Sequence, residues 1–227
     1  DEAIKSCLNK KNSISFFPNI FDSSIERLKI FENSYFEFDV FYALSYGVGS
    51  GKIRSNKSDY DREIYLDHIK SKCPEIKTNF FGYNNVQPIW GAEFEREISK
   101  SPISLNLSRK PNLKYYSSDR ISQYLGNGSC IFVDKNSQLD DLFTYDEVVF
   151  FETEDLTDFG KKISYYKSES YFLLSMVKTH SGDLKGAKNE LKKAKKLGYS
   201  KEEIDHMSAV IDEINKIGYD EHIDRNK

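Results

Sequence analysis

Residues 103–134 read ISLNLSRKPNLKYYSSDRISQYLGNGSCIFVD, a run holding an apolar strand, a polar loop, a short helix and a second apolar strand. Two strand-like runs separated by a helical segment make one α/β unit. Ligands of open α/β sheets sit beyond the carboxyl ends of the strands, where backbone N–H groups at a helix start face an anion. Lys114, Tyr116, Ser117, Ser118, Asp119 and Arg120 fall in that loop and first turn and are the leading binding candidates.

The same alternation extends outward. Upstream, residues 35–47 (YFEFDVFYALSYG) predict a buried strand, residues 58–74 a helix capped by Ser58 or Asp59 with Ile64, Leu66 and Ile69 inward, and residues 76–83 a strand. A short helix over 91–101 precedes the decisive stretch; residues 146–153 predict a last strand and 153–167 a helix. Strands alternating with helices imply an α/β class, a Rossmann-like parallel sheet flanked by helices, over residues 23–167.

Residues 1–22 read as a connector from the end of a preceding helical domain, because the chain opens at Asp1 on a polar helical stretch. Asp22 or Ser23 with Glu26 forms a capping-box signal. Beyond residue 167 the strand-forming runs stop, and residues 168–227 predict a helical tail. In it, Tyr171, Leu174, Gly182, Ala187, Leu191 and Ala194 fit a tetratricopeptide-like helix pair, or equally a plain helical hairpin packed on the sheet domain.

Composition narrows the function classes. In 227 residues, 33 Lys and Arg against 36 Asp and Glu leave a formal charge of -3, which disfavours a nucleic-acid partner. Three widely spaced cysteines, Cys7, Cys73 and Cys130, suit neither a disulfide framework nor a zinc site, and the four histidines form no constellation. A cytoplasmic setting is expected, with peripheral attachment at the inner membrane surface left open, since no apolar run is long enough to span a bilayer.

Further candidates lie after the other strands. The loop at 45–57 (SYGVGSGKIRSNK) places Gly49, Ser50 and Gly51 before Lys52 and Arg54, so its backbone can cradle a phosphate or simply form a solvated turn. Its spacing matches neither a Walker A loop nor G-x-G-x-x-G. Tyr83 and Asn84, after the strand at 76–83, suit contact with a base or sugar, although an aromatic there also suits packing. Arg120 and Gln123 share a helix face at i,i+3, so they can point together into the crevice, while Asp119 also suits an N-cap.

Residues 120–128 (RISQYLGNG), between their two strands, resemble the donor-binding segment of GT-B fold glycosyltransferases, in particular the group 1 and CgeB-like branch. In that family an arginine stands three residues before an acidic ribose-holding residue, and a glycine follows five residues later. The matching positions are Arg120, Gln123 and Gly128. Here Gln123 replaces the acidic residue, and a second acidic position found in many relatives falls on Tyr115. Residues 16–22 (FFPNIFD) resemble the family's interdomain connector, and 38–51 (FDVFYALSYGVGSG) its first strand and diphosphate-facing loop.

The resemblance implies the C-terminal, donor-binding half of such an enzyme, with a nucleotide-diphosphate sugar as substrate and no metal or other cofactor. A glycan or lipid-linked acceptor, as in cell-surface glycan synthesis, would be held by an N-terminal half, and the catalytic residue is unassigned. It implies the diphosphate near Gly49, Ser50, Gly51, Lys52, Arg54, Lys114, Ser118 and Arg120, the base near Tyr83 and Asn84, and the ribose at Gln123. The alternative is a non-catalytic Rossmann-like scaffold whose helical tail binds a protein partner.

Overall fold

The computed structural model describes residues 22–44, 52–54, 59–108, 113–152 and 154–217. Among these residues the strands and α-helices run, in chain order, β1 (Val40–Ala43), β2 (Lys52–Arg54), β3 (Asp59–Asp61), α1 (Glu63–Lys72), β4 (Thr78–Phe81), α2 (Gly91–Ile98), β5 (Ile103–Asn106), α3 (Asp119–Gly126), β6 (Cys130–Asp134), β7 (Val149–Phe151), α4 (Leu156–His180), α5 (Leu184–Lys196) and α6 (Lys201–Ile217). Five of the strands form one parallel sheet in the order β4-β1-β5-β6-β7, and β2 and β3 form a separate antiparallel pair. The α/β architecture and the helical C-terminal tail agree with the sequence expectation.

The sheet is covered on both sides because apolar side chains line each of its faces. Val40, Tyr42, Leu105, Phe132 and Phe151 point to one side, where Tyr65, Leu66 and Ile69 of α1 and Phe159 and Ile163 of α4 meet them. Phe41, Ala43, Ile131, Val133 and Phe150 point to the other and pack on Phe94 and Ile98 of α2 and Ile121 and Tyr124 of α3. This is the period-two alternation of a strand applied to a doubly covered sheet. Burial of each of these large side chains contributes about 1.5–3 kcal/mol.

Three boundaries differ from expectation. The helix predicted from Ser58 or Asp59 starts at Glu63 instead, because residues 59–61 pair with 52–54 as a hairpin and their backbone groups serve that ladder. On α1 the buried residues are Tyr65, Leu66 and Ile69, while Ile64 is 40% exposed; Tyr65 displaces it from the core by edge-on packing against Phe151 and Phe159. The capping-box signal at Asp22 and Glu26 does fold reciprocally. Asp22 Oδ1 accepts from the Ser24 amide, and Glu26 Oε2 accepts from the Asp22 amide, both at 2.8 Å, but around one turn with no continuing helix.

The division expected at residue 167 falls inside α4, which runs unbroken for 25 residues. The composition shifts there, yet the backbone does not. Lys167 is buried and pairs with Asp39 at the start of β1 at 2.9 Å, and its ammonium also donates to the Glu75 carbonyl. One turn later the Tyr171 hydroxyl donates to the other oxygen of Asp39 at 3.2 Å. Burial, reinforced by Asp39, pushes the Tyr171 phenol pKa upward, so it remains a donor.

The tail itself is a three-helix unit. Ala187, Leu191 and Ala194 of α5 pack on Ile204, Met207 and Ile211 of α6, with Tyr171 and Phe172 of α4 alongside. The turn between α4 and α5 uses Gly182 at φ 81° and Asp183, whose carboxylate caps α5 through the Gly186 amide at 2.8 Å. Glu190 is buried between Lys178 at 2.9 Å and Lys193 at 2.8 Å. Burial alone would raise its pKa, but hydrogen bonds from the two ammonium groups outweigh that and lower it.

Candidate functional site

The strand order reverses direction between β1 and β5. From β1 the chain moves outward to β4, then returns past β1 to β5 and continues to β6 and β7. Such a reversal leaves a crevice at the carboxyl edge, because the connections leave the two neighbouring strands in opposite directions. The ladder records it. β1 and β4 pair over four residues and β5 and β6 over four, whereas β1 and β5 pair only at Val40 with Ile103 and Phe41 with Ser104. Beyond that point the two strands separate.

Arg120 fills the separation. From the first turn of α3, its Nη1 donates to the Ala43 carbonyl at 3.0 Å and its Nη2 to the Leu107 carbonyl at 3.2 Å. Its guanidinium carbon lies 5.4 Å from the centre of the Tyr42 ring. Burial works against the charge, but the phenol oxygens of Tyr42 and Tyr124 beside it favour the cation, and the net direction is upward.

Ser118 occupies the cap position of α3, yet its hydroxyl donates to Asn106 Oδ1 at 2.9 Å and makes no cap hydrogen bond. The side-chain amide of Asn106 in turn donates to Ser108 Oγ at 3.4 Å. Asp119 is exposed and is the first helical residue, one position inside the cap it was expected to form. The start of α3 is thus tied to the end of β5 by side chains, and within its first turn the Ile121 amide donates to the Ser118 carbonyl at 3.0 Å. Asn106 and Ser108, both buried, were not among the sequence candidates; the available signal was the pair of polar residues at the end of a buried strand, ahead of the polar loop.

The remaining candidates divide. Tyr116 and Ser117 are half-buried beside Ser118 on the approach to α3. Gln123 is half-buried on α3, and its side-chain amide makes no hydrogen bond among the described residues; its carbonyl accepts from Asn127. Lys114 pairs with Asp141, in the loop after β6, at 3.0 Å and lies 4.5 Å from the Tyr115 ring centre, while the Tyr115 hydroxyl donates to the same carboxylate at 2.8 Å. The hydrogen bonds from Lys114 and then Tyr115 hold the Asp141 pKa below its ordinary value. Lys52 and Arg54 lie on β2, and Gly49, Ser50 and Gly51 lie outside the described residues.

Tyr83 is buried, and its hydroxyl is hydrogen-bonded to Asp67 of α1; burial and then that carboxylate push its pKa up to about 12. Packing is therefore at least part of its role. Asn84 is exposed in the turn that follows, where it and Asn85 have φ of 49° and 64°. That turn comes so close to β1 that a Cβ on Gly82, at φ 69°, would stand 1.8 Å from the Leu44 carbonyl oxygen. Gly128 has a comparable reason: φ is 77° after α3, and the Phe31 ring occupies the space a Cβ would need. No group of three His, Cys, Asp or Glu side chains suited to a metal occurs among the described residues, and no described helix is long and apolar enough to cross a membrane.

No curated protein and no solved structure matches the chain significantly. The sequence model of a family described as glycosyl transferase-like matches residues 60–179, just over half of the chain, from β3 through nearly all of α4 and including the Arg120 segment. With a sheet, a reversal of strand order and a helix start that suit this match, the chain belongs to the glycosyl transferase-like family.

Proposed function

We propose that the chain binds a nucleotide-diphosphate sugar in the crevice between β1 and β5 and serves its transfer to an acceptor. The observation that carries this reading is the early end of the β1–β5 ladder at the strand-order reversal, with the start of α3 beside it. The leaving nucleoside diphosphate gains negative charge as the glycosidic bond breaks, and fixed N–H donors stabilise it without reorganising. The positive dipole end of α3 supplies part of this stabilisation, joined by Ser117 and Ser118 and by the loop at 49–54 with Lys52 and Arg54. Gln123, with its free amide, borders the ribose, and Asn84 borders the base beyond the rigid Tyr83.

The finer assignment follows the resemblance of residues 120–128 and 16–22: a CgeB-like GT-B donor half, working in the cytoplasm or at the inner membrane face without a metal. Its acceptor, a glycan or a lipid-linked sugar, is held by a separate N-terminal half. The α5–α6 hairpin, tetratricopeptide-like in the spacing of Ala187, Leu191 and Ala194, offers a surface for a protein partner.

Calorimetric titration with UDP, GDP and their sugar conjugates tests the reading. We expect saturable binding of one nucleotide, weakened about tenfold by Gln123→Ala through loss of a hydrogen bond. Absence of binding by the folded chain to every nucleotide tried contradicts it.

A further inference from the structure

We infer that Arg120 is a positioning residue, which holds the two walls of the crevice at a fixed separation and leaves direct contact with the donor to other groups. The inference rests on the donor-site reading only for what is being positioned. Three observations combine. First, β1 and β5 share just two paired positions, so the carbonyls of Ala43 and Leu107 lie beyond the end of the ladder between these strands. Second, the two terminal nitrogens of the Arg120 guanidinium bind one of these carbonyls each, at 3.0 and 3.2 Å. Third, Arg120 belongs to α3, which packs on the Phe41 and Tyr124 side of the sheet, yet its guanidinium stands by Tyr42, whose ring belongs to the opposite core. The side chain therefore passes through the split between the strands.

A planar fork with donors on both arms suits this geometry in a way that an ammonium group does not. It spans two acceptors on two different strands and fixes the distance between them. Because Arg120 also sits in the first turn of α3, the same contacts set the height of that helix start above the sheet. Arg120 thus links the three elements that form the crevice.

The test uses Arg120→Ala and Arg120→Lys in the full chain. Hydrogen exchange without nucleotide should become about tenfold faster or more at residues 41–44 and 105–108 in both variants, with residues 130–134 and 149–151 unchanged. Calorimetry with uridine and UDP, and with guanosine and GDP, should then show the nucleoside and its diphosphate losing affinity by the same factor, with Lys no better than Ala. The inference is overturned by unchanged exchange at both strand ends. It is also overturned if only the diphosphate weakens and Lys restores it, which would mark a direct charge contact, or if both variants exchange uniformly in every strand, which would mark a role in the whole fold. If the parent chain binds none of these ligands, the donor reading fails, and the exchange pattern still decides whether Arg120 braces the strands.

Discussion

The two edges of the parallel sheet are built differently. At the amino edge, Asp39 before β1 is buried and saturated: it accepts from the Lys77 amide at 2.6 Å, from Tyr171 at 3.2 Å and from Lys167 at 2.9 Å. These partners come from the start of β4 and from α4, so the edge works as a joint between the sheet and the helical tail. At the carboxyl edge, the strands part and an arginine bridges them, while the start of α3 is tethered through Ser118 and Asn106. One edge has its charges neutralised within the chain. The other holds a cation on the carbonyl groups of two strands.

Breaking the joint should have the largest effect. Lys167→Ala removes one partner of a buried pair and should lower stability by about 3–5 kcal/mol in urea unfolding. Lys167→Met combined with Asp39→Asn should recover part of this; equal loss in the double variant would mean that the pair is less tightly coupled than its geometry implies. Next, Gly82→Ala forces a Cβ into the Leu44 carbonyl at positive φ and should cost on the order of 2 kcal/mol, lowering the melting temperature. It also shifts the turn bearing Asn84, which sharpens the comparison by perturbing the carboxyl edge alone.

A smaller effect concerns pH. The pKa of Glu190 is depressed in the folded chain, so the stability it contributes is present above its unfolded value near 4.5 and is lost as pH falls through the folded value. Thermal melts between pH 6 and about pH 3 should decline less steeply in Glu190→Gln than in the parent. Smallest of all, Tyr83→Phe removes the hydroxyl bound to Asp67 and should cost about 1 kcal/mol. Burial also pushes the Tyr199 phenol up to about 12, so spectroscopic titration should show one fewer phenol ionising near pH 12 in the variant than in the parent.

The α/β class was legible because its signal is local: apolar runs such as residues 103–107 and 130–133, separated by a helix-sized interval, need no knowledge of distant partners. The polar connection before α3 was legible for the same reason. The β2–β3 hairpin was not, since Asp59 and Asp61 read as helix-start residues and only pairing with Arg54 and Lys52 makes them a strand. The role of Arg120 was half legible. Its position on α3 pointed to the crevice, but its partners are the backbone carbonyls of residues 43 and 107, and a carbonyl carries no sequence signature. The continuity of α4 through residue 167 was hidden similarly, because the shift from apolar to charged residues reflects a change of neighbours along one helix and not its end.

The most direct test of the account is hydrogen exchange of the chain with and without saturating UDP or GDP. The donor reading predicts protection concentrated at residues 43–44, 107–108 and 118–123, the carboxyl edge at the strand-order reversal. Protection instead at the amino edge, where Phe31, Phe36, Leu173 and Val177 line an apolar groove of about 190 Å³, or no protection with either nucleotide, would contradict it.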